Sequence, residues 1–241
     1  MTTTYTTPGG KYSTLYLDMA SQPHLLIAGA TGSGKSVVIN GILQALLTNH
    51  SPATCGLILI DPKRVELVQY KALPHTLVYA SADGEPVRAL QQAIAITETR
   101  YQDMQRRGLR KFDGGDVYVI IDELADLMTT DKKAVQPLIQ RIGQIGRAAR
   151  VHMIAATQCP LACVIPTPVK VNFDSRVGLR TRSAQDSRNI LGLTGCEQLP
   201  RYGQGYYMTP EGVSRYQLPM WSDDDLAALV SYWTSKRCIV A

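Results

Sequence analysis

From Pro23 onward, short runs of Ile, Val and Leu alternate with longer stretches whose apolar residues recur every three or four positions. That alternation is the pattern of βαβ units, in which helices cover the faces of a parallel sheet. His24 to Gly29 reads as a buried strand. Ser36 to Thr48 follows as a helix, with Val38, Ile39, Ile42, Leu43, Leu46 and Leu47 spaced to pack on that sheet. Strands are expected at 56–60 and 76–79, then a long helix over 85–107, halted by Asp113-Gly114-Gly115. Val117 to Ile121 is continuously apolar, as a central strand buried on both faces requires. The spacing predicts a further helix over 135–150 and a strand over 151–156.

After Thr157 the texture changes, because Pro160, Pro166 and Pro168 interrupt any long element. Strands at 176–181 and 205–208, with a glycine-rich turn between them, predict an antiparallel extension of the sheet. Ser222 and the acidic residues after it start a C-terminal helix carrying Leu226, Leu229, Val230 and Trp233. The fold class is therefore α/β, a mostly parallel sheet flanked by helices. The chain divides into a tail and arm over 1–22, with a mobile Thr-rich start, a main domain over 23–220, and a terminal helix over 221–241.

Composition narrows the setting. A chain of 241 residues that is 45% hydrophobic and 19% charged is an ordered globular protein. No run reaches the roughly 18 apolar residues of a membrane span, and Met1-Thr2-Thr3-Thr4 lacks the basic and apolar regions of a signal peptide. The chain is expected to be neither inserted nor exported. Five cysteines form no CxxC pair, and their odd number argues against a disulfide framework, so a reducing cytoplasm fits. A net charge of +5 permits an anionic partner such as nucleic acid without requiring one. His24, His50, His75 and His152 lack metal-ligand spacing, and Cys159 with Cys163 lacks further thiols, so structural roles are expected for both sets.

The chemistry is concentrated at three strand ends. Gly29-Ala30-Thr31-Gly32-Ser33-Gly34-Lys35-Ser36 is a complete G-x-x-x-x-G-K-S between a strand and a helix. Such a loop turns successive backbone N–H groups and a helix N-terminus toward the phosphates of a nucleotide. ATP and Mg²⁺ are the implied ligands, with Lys35 reaching the β- and γ-phosphates and Ser36 ligating the metal. Asp122 and Glu123, at the end of an apolar strand, are the candidate metal carboxylate and the candidate base for an attacking water. Gln158, after Ala155-Ala156-Thr157, is the candidate sensor of the γ-phosphate.

Together these residues resemble the FtsK/SpoIIIE family of double-stranded DNA translocases, and the likeness runs from about Lys11 to Trp221. It includes Ile60-Asp61-Pro62-Lys63 with Val65-Glu66-Leu67 and Tyr70, Leu73-Pro74-His75, Gly146-Arg147-Ala148-Ala149-Arg150, and Asp186-Ser187-Arg188 with Glu197-Gln198-Leu199. The resemblance implies a RecA-like P-loop motor over 23–220 that assembles into a ring, a hexamer in that family, and hydrolyses ATP to move duplex DNA. It implies a trans arginine, for which Arg176 is the first candidate with Arg180 and Arg188 behind it, and DNA contacts at Arg188, Arg201 and Arg215. Asp61 and Lys63 either couple the site to the next subunit or form an internal salt bridge. Tyr202, Tyr206, Tyr207 and Tyr216 read as strand and interface packing.

The sequence departs from the family after Thr157-Gln158, where Cys159-Pro160-Leu161 stands for Arg-Pro-Ser, and at Pro200 to Gly205. The membrane anchor, linker and winged-helix module of the cell-division members are not seen in these residues, so the chain looks like the short motors of conjugative elements, plasmids and phages. A secretion ATPase of the type VII kind and a nucleotide-dependent switch are the alternatives. Assembly unaided, and assembly that requires DNA, nucleotide or a recruiting partner protein, are both open at this stage.

Overall fold

A computed structural model of the chain describes residues 17–201, 204–217 and 222–237. The predicted Thr-rich tail, Tyr202 and Cys238 lie outside them. The elements follow in the order β1 (His24–Ala28), α1 (Lys35–Asn49), β2 (Cys55–Ile60), β3 (Thr76–Ala80), α2 (Glu85–Arg107), β4 (Asp116–Ile121), α3 (Leu124–Ala149) and β5 (Val151–Thr157). Then come α4 (Thr167–Lys170), β6 (Ser175–Leu179), α5 (Ala184–Leu191), β7 (Gln204–Thr209), β8 (Gly212–Gln217) and α6 (Asp223–Arg237).

One eight-stranded sheet has the order β3-β2-β4-β5-β1-β6-β7-β8. The strands from β3 to β6 are mutually parallel. The strand β7 returns antiparallel, forming the extension that the sequence predicts, and β8, which the sequence pattern does not predict, adds a second antiparallel strand at the edge. Parallel strands need both faces covered. Tyr118 and Ile120 of β4 join Val38, Ile42 and Leu46 of α1 in the core on one face. Val117, Val119 and Ile121 pack on the other face with Ala89, Leu90 and Ala93 of α2 and Ile139 and Ile142 of α3.

Local chemistry sets the element ends. Glu85 accepts the Ser81 and Ala82 N–H groups at 2.8 Å, Pro86 follows in the first turn of α2, and Gly108 closes it in the left-handed region at φ 66°. The helix α3 begins eleven residues before its apolar periodicity does: Leu124 and Leu127 already pack, and Asp131 kinks the axis with φ −148°. Asp131 accepts the Ala134 N–H at 3.1 Å and so restarts the helix at the point where the sequence predicts its beginning. Ser222 and Asp225 exchange side-chain bonds to each other's N–H groups at 3.1 and 3.4 Å, a capping box for α6. This last helix docks on α1, where the Trp233 indole donates to the Leu47 carbonyl at 2.9 Å.

Two elements escape the apolar pattern. The short helix α5 is mostly polar but is started by Ser183, which accepts the Asp186 N–H at 3.1 Å. The edge strand β8 is exposed along most of its length, so its sequence carries little hydrophobic signal. Tyr207 and Tyr216 are buried, in agreement with a packing role.

Candidate functional site

Because β1, β2, β4 and β5 run in parallel, their C-terminal ends deliver Gly29, Asp61, Asp122 and Gln158 to one edge of the sheet. Open α/β sheets bind ligands along that edge. The strand β5 stands between β1 and β4, so Gln158 leaves the sheet between the glycine loop and the two carboxylates.

The loop itself is shaped by its glycines. Gly32 and Gly34 hold φ 73° and 101°, values that L side chains rarely adopt. A Cβ at Gly29 would meet the Leu179 Cβ at 2.6 Å and the Ser33 Oγ at 2.7 Å, so the loop and β6 approach closely only because Gly29 has no side chain. The Ala30 N–H donates to the Arg180 carbonyl at 2.7 Å and pins the loop to β6's end. The first turn of α1 contains no acidic residue of its own, so the N–H groups at this helix end face the loop.

Lys35, in that first turn, is 5% exposed. Its ammonium donates to the Asp122 carbonyl at 2.7 Å and also contacts the Asp122 carboxylate. Burial pushes the Asp122 carboxyl up; Lys35 opposes this, and the charges of Glu66 and Asp61 add to it. Glu123 is 2% exposed and densely tied. It accepts from the Thr157 hydroxyl at 2.7 Å, the Gln158 N–H at 3.1 Å and the Ala125 N–H at 3.3 Å. Gln158 also accepts from the Thr31 hydroxyl at 2.6 Å through its side chain. One residue thus touches the glycine loop with its amide and the candidate base with its backbone.

Lys63 stands 3.6 Å from Glu123 and 3.5 Å from Asp126, the internal form of the two readings left open for it. Burial works to lower its pKa, but these carboxylates outweigh it and hold the ammonium above the ordinary lysine value. Asp61 accepts the Leu67 N–H at 2.9 Å and fixes the turn that follows β2. That turn brings in a residue named above only within Val65-Glu66-Leu67, with no role: Glu66 accepts from the Ser36 hydroxyl at 2.6 Å. Glu66 lies thirty residues from Ser36 in sequence, so only the fold brings the two together.

The sites named beyond the loop fare differently. Arg176 donates to the carbonyls of Phe173 at 3.0 Å, Ile190 at 3.2 Å and Lys170 at 3.3 Å. Within the single chain, the guanidinium expected to act in trans is engaged by these internal carbonyls, which the packing of α4 and α5 beside β6 brings to it. Arg188 is exposed on α5. Arg201 is exposed and lines a cleft with Thr31, Gly32, Arg180, Arg182 and Glu197, beside the glycine loop. Arg215, on β8, donates to Gln204 at 2.6 Å. The described cysteines are all free, and the described residues hold no cluster of three or more metal-ligating side chains and no helix long and apolar enough to cross a membrane.

Comparison with known proteins places these features in a family. The chain is 36% identical to a protein named DNA translocase FtsK from Agrobacterium fabrum, over 89% of this chain and 29% of the relative. It is 35% identical to DNA translocase FtsK 1 of Neisseria meningitidis serogroup B, over 91% of this chain and 31% of the relative. The chain therefore spans about a third of the length of these relatives. Among solved structures, the TcpA conjugation coupling protein of pCW3, determined with ATPγS, superposes with a TM-score of 0.77 at 25% identity, covering 91% of this chain and 67% of that one. The cytoplasmic domain of the type VII secretion ATPase EccC from Thermomonospora curvata gives a TM-score of 0.79 at 24% identity, covering 92% of this chain and 30% of that one, a likeness of fold. The family model matches residues 6–118 and 115–162, and with the glycine loop, Asp122, Glu123 and Gln158 on one sheet edge, the chain belongs to the FtsK/SpoIIIE family.

Proposed function

We propose that this chain is an ATP-hydrolysing motor that moves double-stranded DNA, working in the cytoplasm as a ring of identical subunits, six in number. The observation that carries this reading is the link from Thr31 through Gln158 to Glu123, which ties the glycine loop to a carboxylate able to act as a base. The relatives named DNA translocase, and the conjugation coupling protein, supply the substrate class.

The donor set fits Mg²⁺ and a nucleotide. A hydroxyl and carboxylates are the hard oxygen donors that Mg²⁺ prefers, and Ser36 and Asp122 would hold it. When bound, the ion neutralises charge developing on the phosphates. The N–H groups of residues 29–36 would bind the phosphates, with α1's N-terminus behind them. Lys35 already stands as a buried cation at the loop, and with nucleotide bound it would pair with phosphate oxygens in place of Asp122. Glu123 would accept the proton of the attacking water; its bonds from Thr157 and Gln158 fix the carboxylate's orientation. Motion at the phosphates would then pass through Gln158 to β5 and onward to a subunit boundary.

The test is steady-state ATP hydrolysis with and without long linear duplex DNA, at low and physiological salt, with Lys35→Ala as the blank. Strong stimulation that fades as salt rises is the expected result. Activity indifferent to DNA would move the reading to a polypeptide-translocating ATPase, and absence of activity would leave a nucleotide-dependent switch.

A further inference from the structure

The turn after β2 has no part in the phosphate loop, yet it is built toward it. Arg64 is held at φ 58°, one of two non-glycine residues in the left-handed region among those described. The Arg64 N–H donates to the Asp61 carbonyl at 3.1 Å, and the Leu67 N–H donates to the Asp61 carboxylate at 2.9 Å. Leu67 is fully buried, so the turn is anchored on both sides of Glu66. Glu66 itself is half-buried and accepts the Ser36 hydroxyl. The second oxygen of Asp61, a residue with no exposed surface, has no hydrogen-bond partner among the described residues. A strained, anchored turn that aims one carboxylate at the hydroxyl of the metal site, backed by another with an unpartnered oxygen, is more than a surface loop requires.

Resting on the nucleotide site proposed above, we infer that Glu66 is a positioning residue for the divalent cation: it orients the Ser36 hydroxyl and adds a third negative charge beside Asp122. Its carboxylate holds the Ser36 proton, which turns the hydroxyl's lone pairs away from Glu66 and toward the cation. It also supplies acceptor oxygens for the waters that a small cation such as Mg²⁺ keeps in its shell. Groups that orient a metal's direct ligands in this way typically contribute about 10- to 100-fold in metal affinity. Because Glu66 acts through Ser36, its effect falls on the cation requirement rather than on the nucleotide.

The experiment is a Mg²⁺ titration of fluorescent ADP binding to the full chain, wild type against Glu66→Gln and Glu66→Asp, with a matched series in EDTA. Glu66→Gln keeps an acceptor for Ser36 and removes the charge, so the fold, checked by the melting temperature without ligand, is retained. The Mg²⁺ concentration for half-maximal binding is expected to rise about tenfold or more in Glu66→Gln, and less in Glu66→Asp, with affinity in EDTA unchanged. An unchanged Mg²⁺ midpoint in Glu66→Gln, or equal shifts in both variants, would overturn the inference, the second because packing and not charge would then be responsible. Failure of the wild type to bind ADP at any Mg²⁺ concentration would instead overturn the nucleotide site itself.

Discussion

Lys35 reaches from the first turn of α1 to the end of β4, where its ammonium contacts both the carbonyl and the carboxylate of Asp122. Both residues are almost fully buried, so each is the other's main compensation for leaving water. Removing one partner of such a pair strands the other charge. Lys35→Ala is therefore expected to abolish nucleotide binding and also to lower stability, by up to roughly 3–5 kcal/mol unless Asp122 takes up a proton. Fluorescent nucleotide binding and chemical denaturation, measured on the same preparation, check both halves. Lys35→Ala that binds nucleotide like the wild type would remove the loop lysine from the site.

Glu123 is bonded to Thr157 and Gln158 rather than to Lys35, so its neutral isostere leaves the Lys35 pair intact. Glu123→Gln is expected to bind ATP normally and to slow hydrolysis by about 10²- to 10⁴-fold, the usual worth of a positioned base. Single-turnover hydrolysis with bound ATP measures the chemical step directly. A wild-type rate would place the base elsewhere.

The parts of this molecule that could be read from the sequence are those fixed by short-range rules. The glycine loop, the apolar strand ending in Asp122 and Glu123, and the helix over 85–107 each follow from spacing within a few turns or one strand. Even the expected start of α3 at residue 135 was a local signal, since the helix is interrupted at Asp131. What could not be read depends on distant groups. Nothing near Glu66 in sequence announces Ser36, and nothing near Arg176 announces the Ile190 carbonyl. The carbonyls that Arg176 meets come to it only through the packing of α4 and α5 around β6, which local sequence does not encode.

His24, the first residue of β1, is 2% exposed, and its Nδ1 accepts the Met153 N–H at 3.1 Å. Burial, with His152 nearby as a lesser cause, lowers its pKa from 6.5 to about 3. The folded state therefore holds His24 neutral while the unfolded chain protonates it below pH 6.5. Stability contributed by the neutral ring is present above that pH and is lost as pH falls toward 3, by about 1.4 kcal/mol per pH unit from this group. Denaturation between pH 7 and 4 should show that slope, and His24→Asn, which offers an acceptor to Met153 but does not titrate, should flatten it. An unaltered slope in His24→Asn would assign the acid sensitivity to other groups.

Arg176 is expected to behave as a structural residue. Its replacement by Ala removes a donor from the carbonyls of Phe173, Ile190 and Lys170, of which Lys170 keeps the Phe173 N–H, at a cost of roughly 1–3 kcal/mol for each one left unpaired out of reach of water. The melting temperature should fall, while ATP turnover per folded subunit below that temperature should stay near the wild-type value. Loss of a trans arginine costs about 10³-fold or more in rate. A loss of that size in a folded Arg176→Ala protein, recovered on mixing with Lys35→Ala subunits, would restore the trans assignment.

The arginines expected to meet DNA separate by their surroundings. All three are exposed; Arg215 also donates to Gln204, and Arg201 lines the cleft beside the glycine loop. A phosphate contact made by an arginine adds to the number of counterions released on binding, so its loss weakens binding to every sequence alike and reduces the salt slope by about 1. Arg188→Ala is expected to do this, read by fluorescence anisotropy of a labelled duplex across a salt series. Arg201 lines the cleft beside Thr31 and Gly32, so Arg201→Ala should instead weaken nucleotide binding and leave the DNA salt slope unchanged. If Arg201→Ala lowers the slope while nucleotide affinity holds, the cleft faces DNA and the arginine belongs to the DNA surface after all.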